Sequence, residues 1–143
     1  MNEYIIEMTD ITKNFGTVKA VQDGQFNLKK GEIHSLIGEN GAGKSTMMKI
    51  LYGIYPNDSG TIKIRGEEIT NITPKIAIEH QIGMVHQEFM LVKELTVLEN
   101  IILGFEPKKK ITIDFDKARK EIQKYIDTYN MDIQLNKRIN QIS

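Results

Sequence analysis

The chain has 143 residues, 40% hydrophobic and 27% charged, a globular composition that excludes disorder throughout and limits it to one ordinary domain or a piece of a larger one. Lys plus Arg (19) equals Asp plus Glu (19), which excludes a general attraction to nucleic acid or anionic lipid and requires that any anion be bound locally. The absence of cysteine excludes disulfides, thiolate catalysis and Cys-ligated zinc, and the start Met1-Asn2-Glu3-Tyr4 with no long apolar run predicts a soluble chain that reaches a membrane only through a partner.

In chain order, Tyr4 to Asp10, Val18 to Val21 and Phe26 to Leu28 read as three short strands joined by turns. After the turn Lys29-Lys30-Gly31-Glu32, the apolar run Ile33 to Ile37 predicts a buried central strand. Met47, Met48, Ile50 and Leu51 then recur at helical spacing from Lys44 to Tyr52, with Gly53 as the stop. Asn57-Asp58-Ser59-Gly60 is a turn cluster, and Thr61 to Arg65 with Glu68 to Thr70 predicts a hairpin. Thr73-Pro74 opens a short helix to about His80, and Ile82 to His86 is one more short apolar run. Thr96 with Glu99 three residues on is a capping box at a helix start. Behind Asp114, the stripe Phe115, Ala118, Ile122, Tyr125, Ile126 and Tyr129 predicts a last helix.

Gly38-Glu39-Asn40-Gly41-Ala42-Gly43-Lys44-Ser45 fits the phosphate-loop pattern and lies between a predicted strand and a predicted helix. Glycines let backbone N–H groups converge on phosphate oxygens, and the helix that follows adds its positive end. Lys44 reaches β- and γ-phosphates as a point charge, Ser45 offers a hydroxyl to Mg²⁺, and Thr46 adds a donor for the α-phosphate. The loop selects a nucleoside triphosphate without selecting its base. His34, His80 and His86 lack metal-ligand spacing and read as structural or surface residues.

Gly38 to Thr46, followed by Gly83-Met84-Val85-His86-Gln87-Glu88-Phe89-Met90-Leu91-Val92, resembles the ATPase subunits of ABC transporters over essentially the whole chain. Within them it is most similar to the first of two tandem ATPase domains in bacterial simple-sugar and nucleoside importers. The resemblance implies an α/β fold of the P-loop NTPase, ABC ATPase type. Residues 1–86 would form an antiparallel β-subdomain and the Walker A part of the ATP-binding core, and residues 87–143 the Q-loop and the start of the helical arm. It further implies ATP and Mg²⁺ as ligands. Phe15 would stack on adenine beside Val18, and Gln87 would be the Q-loop residue that reaches Mg²⁺ and the attacking water.

Asn140-Gln141-Ile142-Ser143 resembles the first residues of the family's signature segment, so the expected remainder, with the signature helix, Walker B strand, D-loop and switch histidine, would follow it. A complete domain of this kind runs to roughly 220 to 250 residues, and the chain alone is expected to be inactive as an ATPase. Ile111-Thr112-Ile113-Asp114 precedes the signature and is interrupted by Thr, which rules it out as Walker B. The partners implied are transmembrane permease subunits, a second ATPase domain in a head-to-tail sandwich and, indirectly, an extracytoplasmic solute-binding protein, with no nucleic acid; the location implied is the cytoplasmic face of the cell membrane. Phe89 to Val92 make an apolar run directly after Gln87, and Gln87 to Asn100 are expected to wall the groove for a permease helix. A soluble ABC-type ATPase acting on ribosomes or DNA is the alternative, although Lys108-Lys109-Lys110 is its only compact basic run. Phosphate-loop kinases and GTPases lack an aromatic-led hairpin subdomain before the loop.

Overall fold

The computed structural model describes residues 4–87 and 90–142, so Phe89 and Ser143 of the segments above lie outside the described residues. The chain divides into two compact units, Met1–Val85 and His86–Ser143. In the first, β1 (Tyr4–Phe15) and β2 (Val18–Lys29) pair antiparallel from Tyr4 opposite Lys29 to Phe15 opposite Val18. The three short strands of the sequence reading are therefore two long ones, because bulges carry each strand through its polar interruption. Asp10 (φ 54°) and Asp23 (φ 47°) adopt left-handed backbone, and the pairing slips between Met8 and Ile11. The extra residue resets the alternation, so Met8 and Ile11, three positions apart, are both fully buried. The Gln25 Nε2 group donates to Asp10 Oδ1 at 2.6 Å across the bulged region.

β3 (Ser59–Ile64) pairs antiparallel with the other edge of β1 and turns into β4 (Glu67–Glu68), giving the order β2-β1-β3-β4. Ile62 and Ile64 sit opposite Met8 and Ile6 and enter the same core. Onto it α1 (Lys44–Leu51) lays Met47, Ile50 and Leu51. Gly53 (φ 82°) follows the end of α1, where a Cβ would stand 2.5 Å from the Thr73 carbonyl carbon. Thr73 in turn caps α2 (Pro74–Glu79), its side chain accepting from Ile76 N at 3.3 Å, and Ala77 completes the core.

Ile33 to Ile37 do not form the expected central strand: Ile33 is 97% and Ile37 93% exposed. A strand exists only as a member of a ladder, and among the described residues no strand pairs with this run. Ile82 to His86 is likewise irregular, with Val85 exposed.

The second unit is helical around Leu98, Ile102, Ala118, Ile126 and Leu135. Its α3 (Val97–Ile102) begins at the capping box: Thr96 Oγ1 accepts from Glu99 N at 3.2 Å, and Glu99 Oε2 accepts from Thr96 N at 2.7 Å. In α4 (Phe115–Thr128), capped by Asp114, only the Ala118–Ile122–Ile126 line of the expected stripe turns inward. Tyr125 and Tyr129 ride at its edge and stay exposed. A short hairpin absent from the sequence reading, β5 (Lys108–Lys109) and β6 (Thr112–Ile113), carries the lysine run in solvent.

The Thr96 backbone N–H and then its hydroxyl hold the Glu99 carboxyl below its ordinary value of 4.5. Lowered in the folded state, it stabilises the unit fully above pH 4.5 and loses that contribution as pH falls through its folded value. Glu99→Gln, which resembles the protonated acid, should remove that contribution at neutral pH, match the unsubstituted chain at acid pH and so flatten the acid limb of stability, as read by thermal melts against pH.

Candidate functional site

The phosphate-loop segment leaves β2 through an exposed irregular stretch and enters α1 at Gly43, the residue that caps the helix. Gly41 (φ 86°) and Gly43 (φ 80°) hold left-handed backbone, which side chains disfavour. Gly43 has a second reason to lack a side chain: a Cβ there would lie 2.4 Å from the Ala20 carbonyl oxygen of β2. Close approach of strand and helix start therefore requires glycine at this position. The Ala42 N–H donates to Glu39 O at 3.2 Å and Met47 N–H to Gly43 O at 2.9 Å, fixing the turn and the first helical bond.

Lys44 folds back across the loop, its Nζ donating to Gly38 O and Glu39 O at 2.7 Å each. Two of the three ammonium donors thus close the loop into a ring, and the positive charge is held among the backbone groups of Gly38 to Lys44. The first N–H groups of α1, an eight-residue helix, have no intrahelical partner and lie at the end of the helix that adjoins the loop. Ser45 is exposed and Thr46 half-buried in the first turn. A cleft of about 390 Å³ lies between Gly41–Lys44, β2 residues Lys19 to Gln22, and Met47 and Met48.

Phe15 and Val18 face each other across the β1–β2 turn, both exposed. Val18 opens β2 and Ala20 lies two residues on, at the pairing shift between Lys19 and Val21, so one strand leads from the aromatic to the Gly43 contact. Phe15 meets Tyr55 edge-on, with ring centroids 5.0 Å apart and planes at 74°, and the Lys13 ammonium stands over its ring at 5.6 Å. Lys13 and Asn14 are gripped by Asp58: Oδ1 accepts from Lys13 Nζ at 2.8 Å, and Oδ2 accepts from Asn14 N at 2.7 Å and Asn14 Nδ2 at 3.1 Å. The Lys13 hydrogen bond, then that of the Asn14 backbone, holds the Asp58 carboxyl below its ordinary range.

Asp58 and Tyr55 are the residues that sequence reasoning missed. The cluster Asn57 to Gly60 reads locally as a turn, and nothing in it reports a strand end 44 residues earlier.

The structure thus brings Phe15, Val18 and Gly38 to Thr46 into one unit. Gln87 belongs to the second unit, in an exposed irregular segment. There Asn100 holds the chain beyond it, accepting from Val92 N at 2.8 Å and donating to Val92 O at 3.0 Å. Met90, Leu91 and Val92 are exposed, Met90 at 77%. His34 packs edge-on against Phe26 and lies 3.4 Å from Glu32. Among the described residues no cluster of His, Cys, Asp or Glu could by itself hold a metal, and no helix is long and apolar enough to cross a membrane.

The family model described as ABC transporter matches residues 21–143. The chain is 50% identical over 131 residues to the guanosine import ATP-binding protein NupO of Bacillus subtilis, covering 92% of this chain and 26% of that protein. It is 45% identical to the nucleoside import ATP-binding protein NupA of Lactococcus lactis, over 99% of this chain and 28% of that protein. With the galactose/methyl galactoside import ATP-binding protein MglA of Escherichia coli it is 43% identical, at the same coverages of 99% and 28%. The chain therefore spans about a quarter of the length of these relatives. A nucleotide-free ATP-binding cassette from an ABC transporter superposes with a TM-score of 0.80 at 27% identity, over 98% of this chain and 59% of that one. A dimeric post-hydrolysis cassette bound to ADP and Pi gives 0.74 at 27% identity, over 96% and 63%.

Gly43→Ala should destabilise the first unit by about 1–3 kcal/mol, from positive φ and the Ala20 clash together. Melting temperature and triphosphate binding should fall together; a neutral effect on both would mean that the close contact is not needed.

Proposed function

The chain belongs to the ABC transporter family, and from that membership we propose that it is the nucleotide-binding part of an importer ATPase that takes up a simple sugar or a nucleoside. Its fold is the α/β ABC ATPase fold, represented by the antiparallel β-subdomain, the phosphate loop with its helix, and a helical segment. The observation that carries the reading is the Lys44 ammonium tied to the Gly38 and Glu39 carbonyls at the N-terminus of α1.

In this reading the triphosphate of ATP lies in the ring of Gly38, Glu39, Asn40, Gly41, Ala42 and Gly43, its oxygens taken by backbone N–H groups. Lys44 neutralises the β- and γ-phosphates, and Thr46 donates to the α-phosphate. Mg²⁺, if bound here, would supply positive charge beside the phosphates, with Ser45 and Gln87 as the residues assigned to hold it. The exposed Ser45 hydroxyl suits it, being a hard oxygen donor in the first turn of the helix that follows the loop. Phe15 and Val18 offer the base an apolar platform with no hydrogen-bonding group. Gln87 is assigned to orient the attacking water and contact the Mg²⁺ site, and residues 1–86 and 87–143 to the catalytic and helical parts of the domain.

Hydrolysis in the whole protein would use a second ATPase domain, as the dimeric cassette among its structural relatives suggests. The exposed Met90, Leu91 and Val92 beside Gln87 are assigned to the wall that receives a helix of the permease, which places the protein on the cytoplasmic face of the membrane, with the solute-binding protein acting only through the permease. The import relatives favour this over a ribosome- or DNA-directed ATPase.

Lys44→Ala should weaken ATP binding about 10- to 100-fold, the worth of a charge-assisted contact. Phe15→Ala should weaken ATP about fivefold and leave a base-free triphosphate unchanged, as expected for one aromatic contact. Calorimetric titration of the chain with both ligands checks this, and an equal loss for both ligands on Phe15→Ala would remove the stacking role.

A further inference from the structure

We propose that Asp58 is a positioning residue for the base: it pins the end of β1 so that Phe15 is presented as a preformed platform. The proposal rests on the stacking reading of Phe15 given above. Asp58 acts on three consecutive residues before the aromatic. Its backbone N–H donates to Thr12 O at 2.8 Å, its Oδ1 takes the Lys13 ammonium at 2.8 Å, and its Oδ2 takes both the backbone and the side-chain N–H groups of Asn14. With Thr12, Lys13 and Asn14 fixed, the backbone leading into Phe15 has little freedom left.

The turn that carries Asp58 is itself held. Asn57 Nδ2 donates to Ser59 O and Gly60 O at 3.0 Å each. Gly60 (φ 92°) passes so close to β1 that a Cβ would lie 2.5 Å from Asp10 O. Tyr55, three residues before Asp58, braces the Phe15 ring edge-on. Behind Tyr55 the chain runs straight back into α1, where Ile54 N donates to Lys49 O at 2.8 Å and the Lys49 ammonium stands over the Tyr55 ring at 5.6 Å. The helix that begins at the phosphate loop therefore ends in the segment that orients the aromatic, and residues 44–58 fix the spacing between a phosphate site and a base site. Lys13 is 11% exposed at its side chain, so removing its partner leaves a nearly buried cation unpaired and drives it to move, taking the strand end with it.

A preformed platform lowers the ordering cost of binding the base and leaves the phosphate contacts alone. The chain with Asp58→Ala should therefore lose ATP affinity about fivefold, as Phe15→Ala does, with less than about twofold change for a base-free triphosphate. Asp58→Asn, which keeps an acceptor for Asn14 but not the charge for Lys13, should fall between and serves if the alanine variant folds poorly. In the double variant with Phe15→Ala the two losses should not add, because both remove the same contact. Calorimetric titration of the unsubstituted chain and the four variants with ATP and with inorganic tripolyphosphate gives the ratio that a merely structural role would not move. If Phe15→Ala is selective for ATP but neither Asp58 variant is, or the losses add, the positioning role is overturned and stacking stands. If Phe15→Ala itself weakens both ligands equally, the stacking reading fails and the proposal with it.

Discussion

The first unit is organised by one close approach of backbones, that of Gly43 to the Ala20 carbonyl. A second glycine works from the other side: a Cβ on Gly24 would stand 2.7 Å from Val21 Cγ1 and 3.1 Å from Met47 Sδ. One missing side chain lies in the loop and one in the strand, and together they let α1 settle on β2 with Met47 in the core and its first N–H groups at the surface. The bulge at Asp23 stands beside this contact, shifting the pairing between Val21 and Gly24. The geometry of the candidate phosphate loop is thus set by strand packing as well as by the loop sequence, which explains why the loop can hold its shape with its outer residues exposed.

Much of this was legible from local pattern. The phosphate loop, α1, the Thr73 cap, the Thr96 and Glu99 box, and the hairpin of β3 and β4 each carry their signal within a few residues. Two kinds of feature did not read correctly. Asp10 and Asp23 look like strand ends because polar residues interrupt alternation, yet a bulge costs only one unpaired residue and preserves burial of Met8 and Ile11 on one face. Ile33 to Ile37 carries the composition of a buried strand, but composition specifies only what a segment needs. The ladder partners that would satisfy the need must come from elsewhere, and the described residues supply none.

Asp58 marks a different limit. Its short polar side chain is normal in a turn, and the sequence cannot distinguish an aspartate that bonds its own turn from one that grips a strand 44 residues away. What separates them is geometry: the antiparallel pairing of β1 with β3, which sets Thr12 opposite Ser59, delivers the end of β1 to the turn just before β3. Once that register is set, the carboxylate is the nearest acceptor for Lys13 and for the Asn14 N–H, and its lowered proton affinity follows from those bonds.

The same geometry bears on nucleotide choice. In the proposed reading the groups assigned to the phosphates are the Lys44 ammonium, backbone N–H groups and the Thr46 hydroxyl, with single contacts worth about 0.5–3 kcal/mol, whereas the base would meet a phenyl ring and an isopropyl group worth about 1 kcal/mol between them. Neither Phe15 nor Val18 carries a donor or acceptor that distinguishes one purine from another. On that reading affinity would reside in the triphosphate and the base would be read only as a flat surface, so discrimination between ATP and GTP by these residues should be small. Orientation is what the aromatic could still supply under the stacking proposal: a base held flat against Phe15 would restrict the ribose that joins it to the phosphates. A ring held by the Asp58 and Tyr55 contacts would supply that orientation without needing to bind tightly.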